Sequence, residues 1–173
     1  MRRALLVSIL VAAFATACTS GPRTTFPPLG ATPGAAGDLT DATEATVIAA
    51  LAAVGLPAAE ATRTFRPPEG PLLAAAPRTV IQATLPEDPT HGFVLIYAFP
   101  SPQAAESAAA DHAGYISSGP GRVQFPPGSR FVLRVVGSTV VFFSWIPDSA
   151  LDPRMRSIEE ALLGVGSEVP VPG

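Results

Sequence analysis

Residues 130–145 read RFVLRVVGSTVVFFSW, two runs of β-branched and aromatic residues separated by Gly137-Ser138. A two-residue loop with glycine first is a hairpin signal, because its backbone twist matches that of the strands it joins. The reading therefore places strands at Arg130–Val136 and Thr139–Ile146 and fixes their register. Arg130 faces Trp145, Val132 faces Phe143 and Arg134 faces Val141. On the opposite side Phe131 meets Ser144, Leu133 meets Phe142 and Val135 meets Val140. A slip of one residue would exchange the two faces, so this pairing decides which side chains reach the core.

Outward from the hairpin, Thr79–Leu85 and Phe93–Phe99 are further β-rich runs, joined by the polar loop Pro86–Gly92. Ser101 followed by Pro102 has the form of an N-cap and first helical residue, opening an alanine-rich helix to about Ile116. A first helix begins at Thr40 or Asp41, with Asp41 and Glu44 as a capping box. Val47, Ile48, Leu51 and Val54 recur along it at helical spacing, and Gly55 ends it. Ala61–Phe65 is a short candidate strand ahead of Pro67, Pro68, Gly70 and Pro71. Asp152-Pro153 opens a last helix ending at Gly164 or Gly166. No internal repeat is present. The order α(β)ββαββα predicts an α+β fold, an antiparallel sheet of about four to five strands with helices mainly on one face, spanning residues 40–166.

The chain has 173 residues and a formal net charge of −3, and its 11 basic residues are all arginine. A net-acidic chain without a basic run lacks the phosphate neutralisation that nucleic-acid binding rests on, so no nucleic-acid partner is expected. A single cysteine excludes an internal disulfide and a cysteine-clustered metal site. Arg2 and Arg3 precede an apolar run, Ala4–Phe14, broken only by Ser8. That run is shorter than the ~20 residues a bilayer span needs but suits a secretory signal.

The run leads into Ala15-Thr16-Ala17-Cys18, which resembles the lipobox of bacterial lipoproteins, with Ala15 where leucine is commonest. It is also an A-x-A site for ordinary signal peptidase. Both readings cut between Ala17 and Cys18, giving a signal peptide over residues 1–17. They differ on whether Cys18 is then lipidated or only exported. Lipidation makes use of a cysteine that would otherwise be a lone thiol in a secreted chain, and implies a membrane-lipid partner at the extracytoplasmic face. Residues 18–39, rich in proline and glycine, read as a tether of about 25 Å root-mean-square reach. Residues 167–173 read as a flexible tail.

The stretch Val94–Ala109 (VLIYAFPSPQAAESAA) resembles the strand, Ser and Ala-rich helix segment of small bacterial lipoproteins. These share the lipobox, the loop-rich leader, an opening helix like Leu51–Pro57 (LAAVGLP) and a closing hairpin followed by a helix. The resemblance implies the same α+β fold and a cell-envelope location. That family brings no assigned activity and no catalytic residue to carry over.

Motifs for catalysis are missing. There is no GxSxG elbow, and without lysine there is no Ser-Lys dyad, Schiff base or P-loop. His91 and His112 stand 21 positions apart, too far for a two-histidine metal motif. Glu87, Asp88 and His91 share one loop but supply only an incomplete shell for a divalent ion, and a solvated hairpin tip is the ordinary explanation. His112 falls on one helical face with Ala105, Ala109 and Ile116 and is expected to be half-buried and hydrogen-bonded. Asp111 beside it points elsewhere. No catalytic residue, cofactor or metal is assigned.

The hairpin face carrying Arg130, Arg134, Phe143 and Trp145 is partly apolar, and Phe93–Phe99 is apolar on both faces. A second sheet face therefore needs a cover. One expectation is internal, the Pro-rich segments 66–77 or 119–129 with arginine stems lying over the rings. The other makes Arg130, Arg134, Phe143 and Trp145 a candidate interaction face for a second copy or an envelope protein. The functional expectation is a membrane-anchored extracytoplasmic lipoprotein acting as a binding or assembly module rather than an enzyme. The alternatives are a small hydrolase or transferase built on carboxylates, serine and histidine, and a purely structural surface protein.

Overall fold

The computed structural model describes residues 37–172. The signal segment, Cys18 and all but the last residues of the tether lie outside the described residues.

Helix α1 (Gly37–Ala53) is followed by strand β1 (Ala58–Glu60), a short helix α2 (Pro71–Ala75), and strands β2 (Arg78–Ala83) and β3 (Phe93–Ala98). Helices α3 (Pro102–Ser117) and α4 (Gly119–Arg122) lead to β4 (Arg130–Val136) and β5 (Thr139–Trp145). A 3-10 turn (Pro147–Ser149), helix α5 (Met155–Leu163) and a two-residue strand β6 (Ser167–Glu168) complete the order. The strands form one antiparallel sheet in the order β1-β2-β3-β5-β4-β6. The α+β class and the antiparallel sheet are as expected. Among the described residues there are six strands rather than four or five, because Ser167–Glu168 of the expected tail pairs with Arg134 and Val135.

The hairpin register is the one its turn demands, with Arg130 opposite Trp145, Val132 opposite Phe143 and Leu133 opposite Phe142. Gly137 sits at φ 55°, a backbone open to glycine at the first central position of a tight hairpin turn. Ser101 caps α3 by accepting from the Ala104 N–H at 3.2 Å. Strand β1 lies three residues earlier than expected, at Ala58, because pairing with Ile81–Ala83 outweighs the better strand propensity of the Ala61–Phe65 run.

The helices cover both faces rather than mainly one. The physical reason lies in β3, where all six residues are buried, and β5, where six of seven are. A strand buried on both sides needs a layer on each. Helices α1 and α5 pack Val47, Leu51, Ile158 and Leu162 against Val94, Ile96, Val141, Phe143 and Trp145. On the other face, α2 and α3 with Phe125 cover Leu95, Tyr97, Leu133, Val140 and Phe142.

That arrangement corrects the expectation of which segments cover the second face. Its cover is internal, but it comes from α1 and α5. The Pro-rich segments 66–77 and 119–129 send Leu73, Ala76 and Phe125 to the opposite face. Phe143 is fully buried, and Trp145 and Arg134 are each 7% exposed, so they present no open docking surface.

Candidate functional site

Each of the four residues singled out on the hairpin has an internal partner. Arg130 pairs with Glu159 of α5, and the Trp145 indole N–H donates to the same carboxylate at 2.8 Å. The Arg134 guanidinium spans the end of α5, donating to the carbonyls of Val165 at 2.7 Å and of Leu163 and Gly166 at 2.8 Å each. The Leu163 carbonyl is one of the acceptors a helix leaves unpaired at its C-terminus, and the other two lie in the turn just beyond it, where a cation is also favoured by the helix dipole. The hairpin arginines therefore fasten α5 to the sheet. They also flank a groove of about 340 Å³ along the β4 edge, but spend their charge on Glu159 and Glu168. The partner expected here, a second copy or an envelope protein, loses the observation that motivated it. Substitution of Trp145 by alanine should consequently lower the thermal midpoint of the monomer. Removing a buried tryptophan removes on the order of 3 kcal/mol or more, and calorimetry checks it.

A different place gathers what the sequence leaves scattered. At the end of the sheet where β3 begins and β5 finishes, a pocket of about 410 Å³ opens between residues 65–68, the 86–92 loop and residues 124–129. Phe65, Phe93, Phe125, Trp145 and Met155 supply its apolar wall. Phe65 stacks on Phe93 with ring centroids 4.4 Å apart, and the Arg63 guanidinium lies 5.0 Å from the Phe93 ring centre. Arg63 also donates to the Pro89 carbonyl, as does the Gln82 side-chain amide, so the loop is tied down from two sides. Gly92 closes the loop at φ 81°. A Cβ there would come within 3.1 Å of the Ala83 carbonyl oxygen, so the return into β3 requires glycine.

Asp152 holds the loop from a third side. Its buried carboxylate accepts from the Glu87 N–H at 3.3 Å and from the Arg154 backbone and guanidinium. Those bonds, the Arg154 side chain first, hold its pKa down at about 2.

Within the loop, Asp88 and His91 form a close pair. Asp88 is 1% exposed, its Oδ1 lies 2.6 Å from His91 Nδ1, and the Thr90 hydroxyl donates to the same oxygen at 3.2 Å. Burial pushes the Asp88 pKa up, but the hydrogen bond and charge of His91, helped by Thr90, reverse this and leave it below the ordinary value. An ionised carboxylate only accepts, so His91 Nδ1 carries the proton and donates. The His91 ring stays largely exposed. The second carboxylate oxygen, Asp88 Oδ2, is buried and makes no hydrogen bond within the described residues.

The remaining polar candidates are structural. Glu69, not singled out in the sequence, accepts from the Tyr97 hydroxyl at 2.7 Å and from Arg66 at 2.9 Å, with Arg78 at 3.3 Å. It fastens the segment before α2 to the sheet. His112 is fully buried rather than half-buried. Its Nδ1 accepts from the Gly70 N–H at 3.2 Å, and its ring stands edge-on to Phe142 at 4.6 Å. Burial lowers its pKa to about 4, so it is a neutral core group and no base. Among the described residues no group of three or more histidine, cysteine, aspartate or glutamate side chains is disposed to hold a metal ion. Nor is any helix among them long and apolar enough to cross a membrane.

The pocket joins Asp88, His91 and Trp145, all visible in the sequence, to Phe65 and Phe125, which sequence reasoning missed. The signal was there: each is an isolated aromatic in a proline-rich connection, a costly residue to leave in solvent. Compared with family models, with curated proteins and with solved structures, the chain has no match in any of the three.

Proposed function

We propose that this chain is a lipid-anchored extracytoplasmic binding module, held to a membrane through Cys18, whose domain takes a small, largely apolar ligand in the Asp88 pocket. The observation that carries the binding reading is the pocket itself. Its volume lies within the range of ligand sites, its wall is aromatic, and a few polar groups converge on it. The anchor rests on the charged start, the apolar run and the lipobox-like Ala15–Cys18. The likeness to small bacterial lipoproteins supports the same reading, in an envelope layer facing away from the cytoplasm.

The Asp88–His91 pair favours one other reading, a hydrolase with His91 as base oriented by a buried carboxylate. Among the described residues the His91 ring bonds only Asp88 and Thr90, both through Nδ1, so no serine is placed against Nε2 as a nucleophile. Binding is the better supported function.

Trp145 is the single tryptophan of the chain and lines the pocket, which makes its emission a direct reporter. Titration with the neutral compound 2-phenylethanol should shift that emission saturably. Ser149→Phe, which fills the pocket from an exposed lining position, should weaken the response at least tenfold. A non-saturating response, or one indifferent to Ser149→Phe, contradicts the binding reading. The anchor has its own check. In a bacterial host the full chain should sediment with membranes, and Cys18→Ser should move most of it to the soluble fraction; equal partitioning of the two contradicts lipidation.

A further inference from the structure

The chemistry of the ligand is written in the donors and acceptors around the pocket. Among the described residues lining it, Asp88 is the one carboxylate, and the basic side chains are Arg66 and His91. Arg66 is occupied elsewhere. Its guanidinium bonds Glu69 at 2.9 Å and the Ala74 carbonyl at 3.2 Å. His91 spends its Nδ1 proton on Asp88 Oδ1. Asp88 lines the pocket, and its Oδ2 is left as a buried acceptor with no hydrogen-bond partner among the described residues. Burying a carboxylate oxygen without a partner is unfavourable relative to leaving it in water. Folds retain such a group where something with hydrogen to give completes it.

Aromatic rings line the same pocket as Asp88, and a ring face attracts a cation, the more strongly where water is excluded. A carboxylate set among aromatic rings is matched by a positive group carried on an apolar body. An anion meets the opposite situation, since it would face Asp88 with no free cation to offset it.

We propose that the Asp88 pocket is a site for a small organic cation, a primary or secondary ammonium borne on an aromatic or aliphatic body, with the ammonium donating to Asp88 Oδ2 and the body against Phe125 and Trp145. This rests on the binding reading above and specifies its ligand class. A volume of about 410 Å³ suits a molecule on the scale of an arylalkylamine rather than a folded partner. The ionised state of Asp88, sustained by His91 and Thr90, supports the same pairing. His91 is a positioning residue here. By binding Oδ1 it turns the other oxygen into the free acceptor.

Three probes with one aromatic body separate the possibilities: 2-phenylethylammonium, neutral 2-phenylethanol and 3-phenylpropanoate. Each is titrated into the purified full chain at neutral pH, with Trp145 emission and calorimetry as readouts. The expected result is at least tenfold tighter binding of the ammonium than of the alcohol, with the carboxylate weakest. Asp88→Asn keeps the shape and should erase that preference. Because the charge preference is read on the unaltered chain, the proposal stays testable even if the variant folds poorly. Saturable binding of all three with equal affinity overturns the cation assignment and leaves the pocket standing. Retention of the preference in a folded Asp88→Asn chain also overturns it. Binding of none of the three overturns both the assignment and the pocket reading.

Discussion

Acidification from pH 7 to about pH 4 should remove on the order of 3 kcal/mol of stability from the domain through one residue, His112. In the folded chain its pKa lies at about 4, and in the unfolded chain it returns to the ordinary 6.5. Between those values the unfolded state binds the proton and the folded state does not, so stability falls as pH falls through that window. Below about 4 both states are protonated and this contribution stops changing. The cause is geometric. The ring is fully buried against Phe142, its Nδ1 is taken by the Gly70 N–H, and Nε2 has no partner among the described residues to receive a charge. Urea unfolding at pH 7 and at pH 4.5 measures the difference. His112→Gln, whose carbonyl still accepts from Gly70, should flatten that slope whatever its effect on the baseline. An unchanged slope would show that the ring is not held neutral by burial.

A second loss belongs to a lower window and has the same sign. Asp152 has its pKa held at about 2 against an ordinary 3.8, so its support persists above about pH 4 and disappears as pH falls toward 2. It should survive in His112→Gln, which separates the two groups in one titration.

Arg134→Leu should be among the most damaging single substitutions in the chain, lowering stability by about 3 kcal/mol or more. The side chain is buried and makes three charged hydrogen bonds to the carbonyls of Leu163, Val165 and Gly166. Bonds of that kind contribute about 1.5–3 kcal/mol each when neither partner is otherwise served, though they are not additive. Leucine leaves the carbonyls without a donor at the negative end of α5. The Glu168 pair is a minor part of the loss, since it spans 3.7 Å to an exposed carboxylate. Glu168→Gln should therefore change stability by less than about 1 kcal/mol. Chemical unfolding of both variants checks the contrast. Equal effects would place the function of Arg134 at the surface pair instead of the helix end.

These two residues also show where sequence reading stops. Strand pairing around Gly137-Ser138 was legible to the residue, because turn chemistry and two-residue alternation are local. The capped start of α3 was legible for the same reason. Arg134, by contrast, alternates with Leu133 and Val135 like an outward strand residue. Nothing local says that a helix 30 residues later will place its end carbonyls over it. The same holds for α1, whose Val47 and Leu51 announce an apolar stripe without naming the sheet face it seeks.

The pocket was half legible. Asp88 and His91 stood out as a polar pair in one loop, but their surroundings come from connections 20–60 residues away, where proline and glycine leave no periodicity to read. Phe65 and Phe125 reach the site because β3 and β5 are adjacent in the sheet while far apart in the chain.

The most direct measurement is a map of amide chemical shifts in the ¹⁵N-labelled chain as 2-phenylethanol is added. The account predicts saturable changes concentrated in residues 65–68, 88–93, 124–129 and 144–150, which line the end of the sheet at Asp88. Changes concentrated along the β4 edge or over α1, with those residues unmoved, would contradict it.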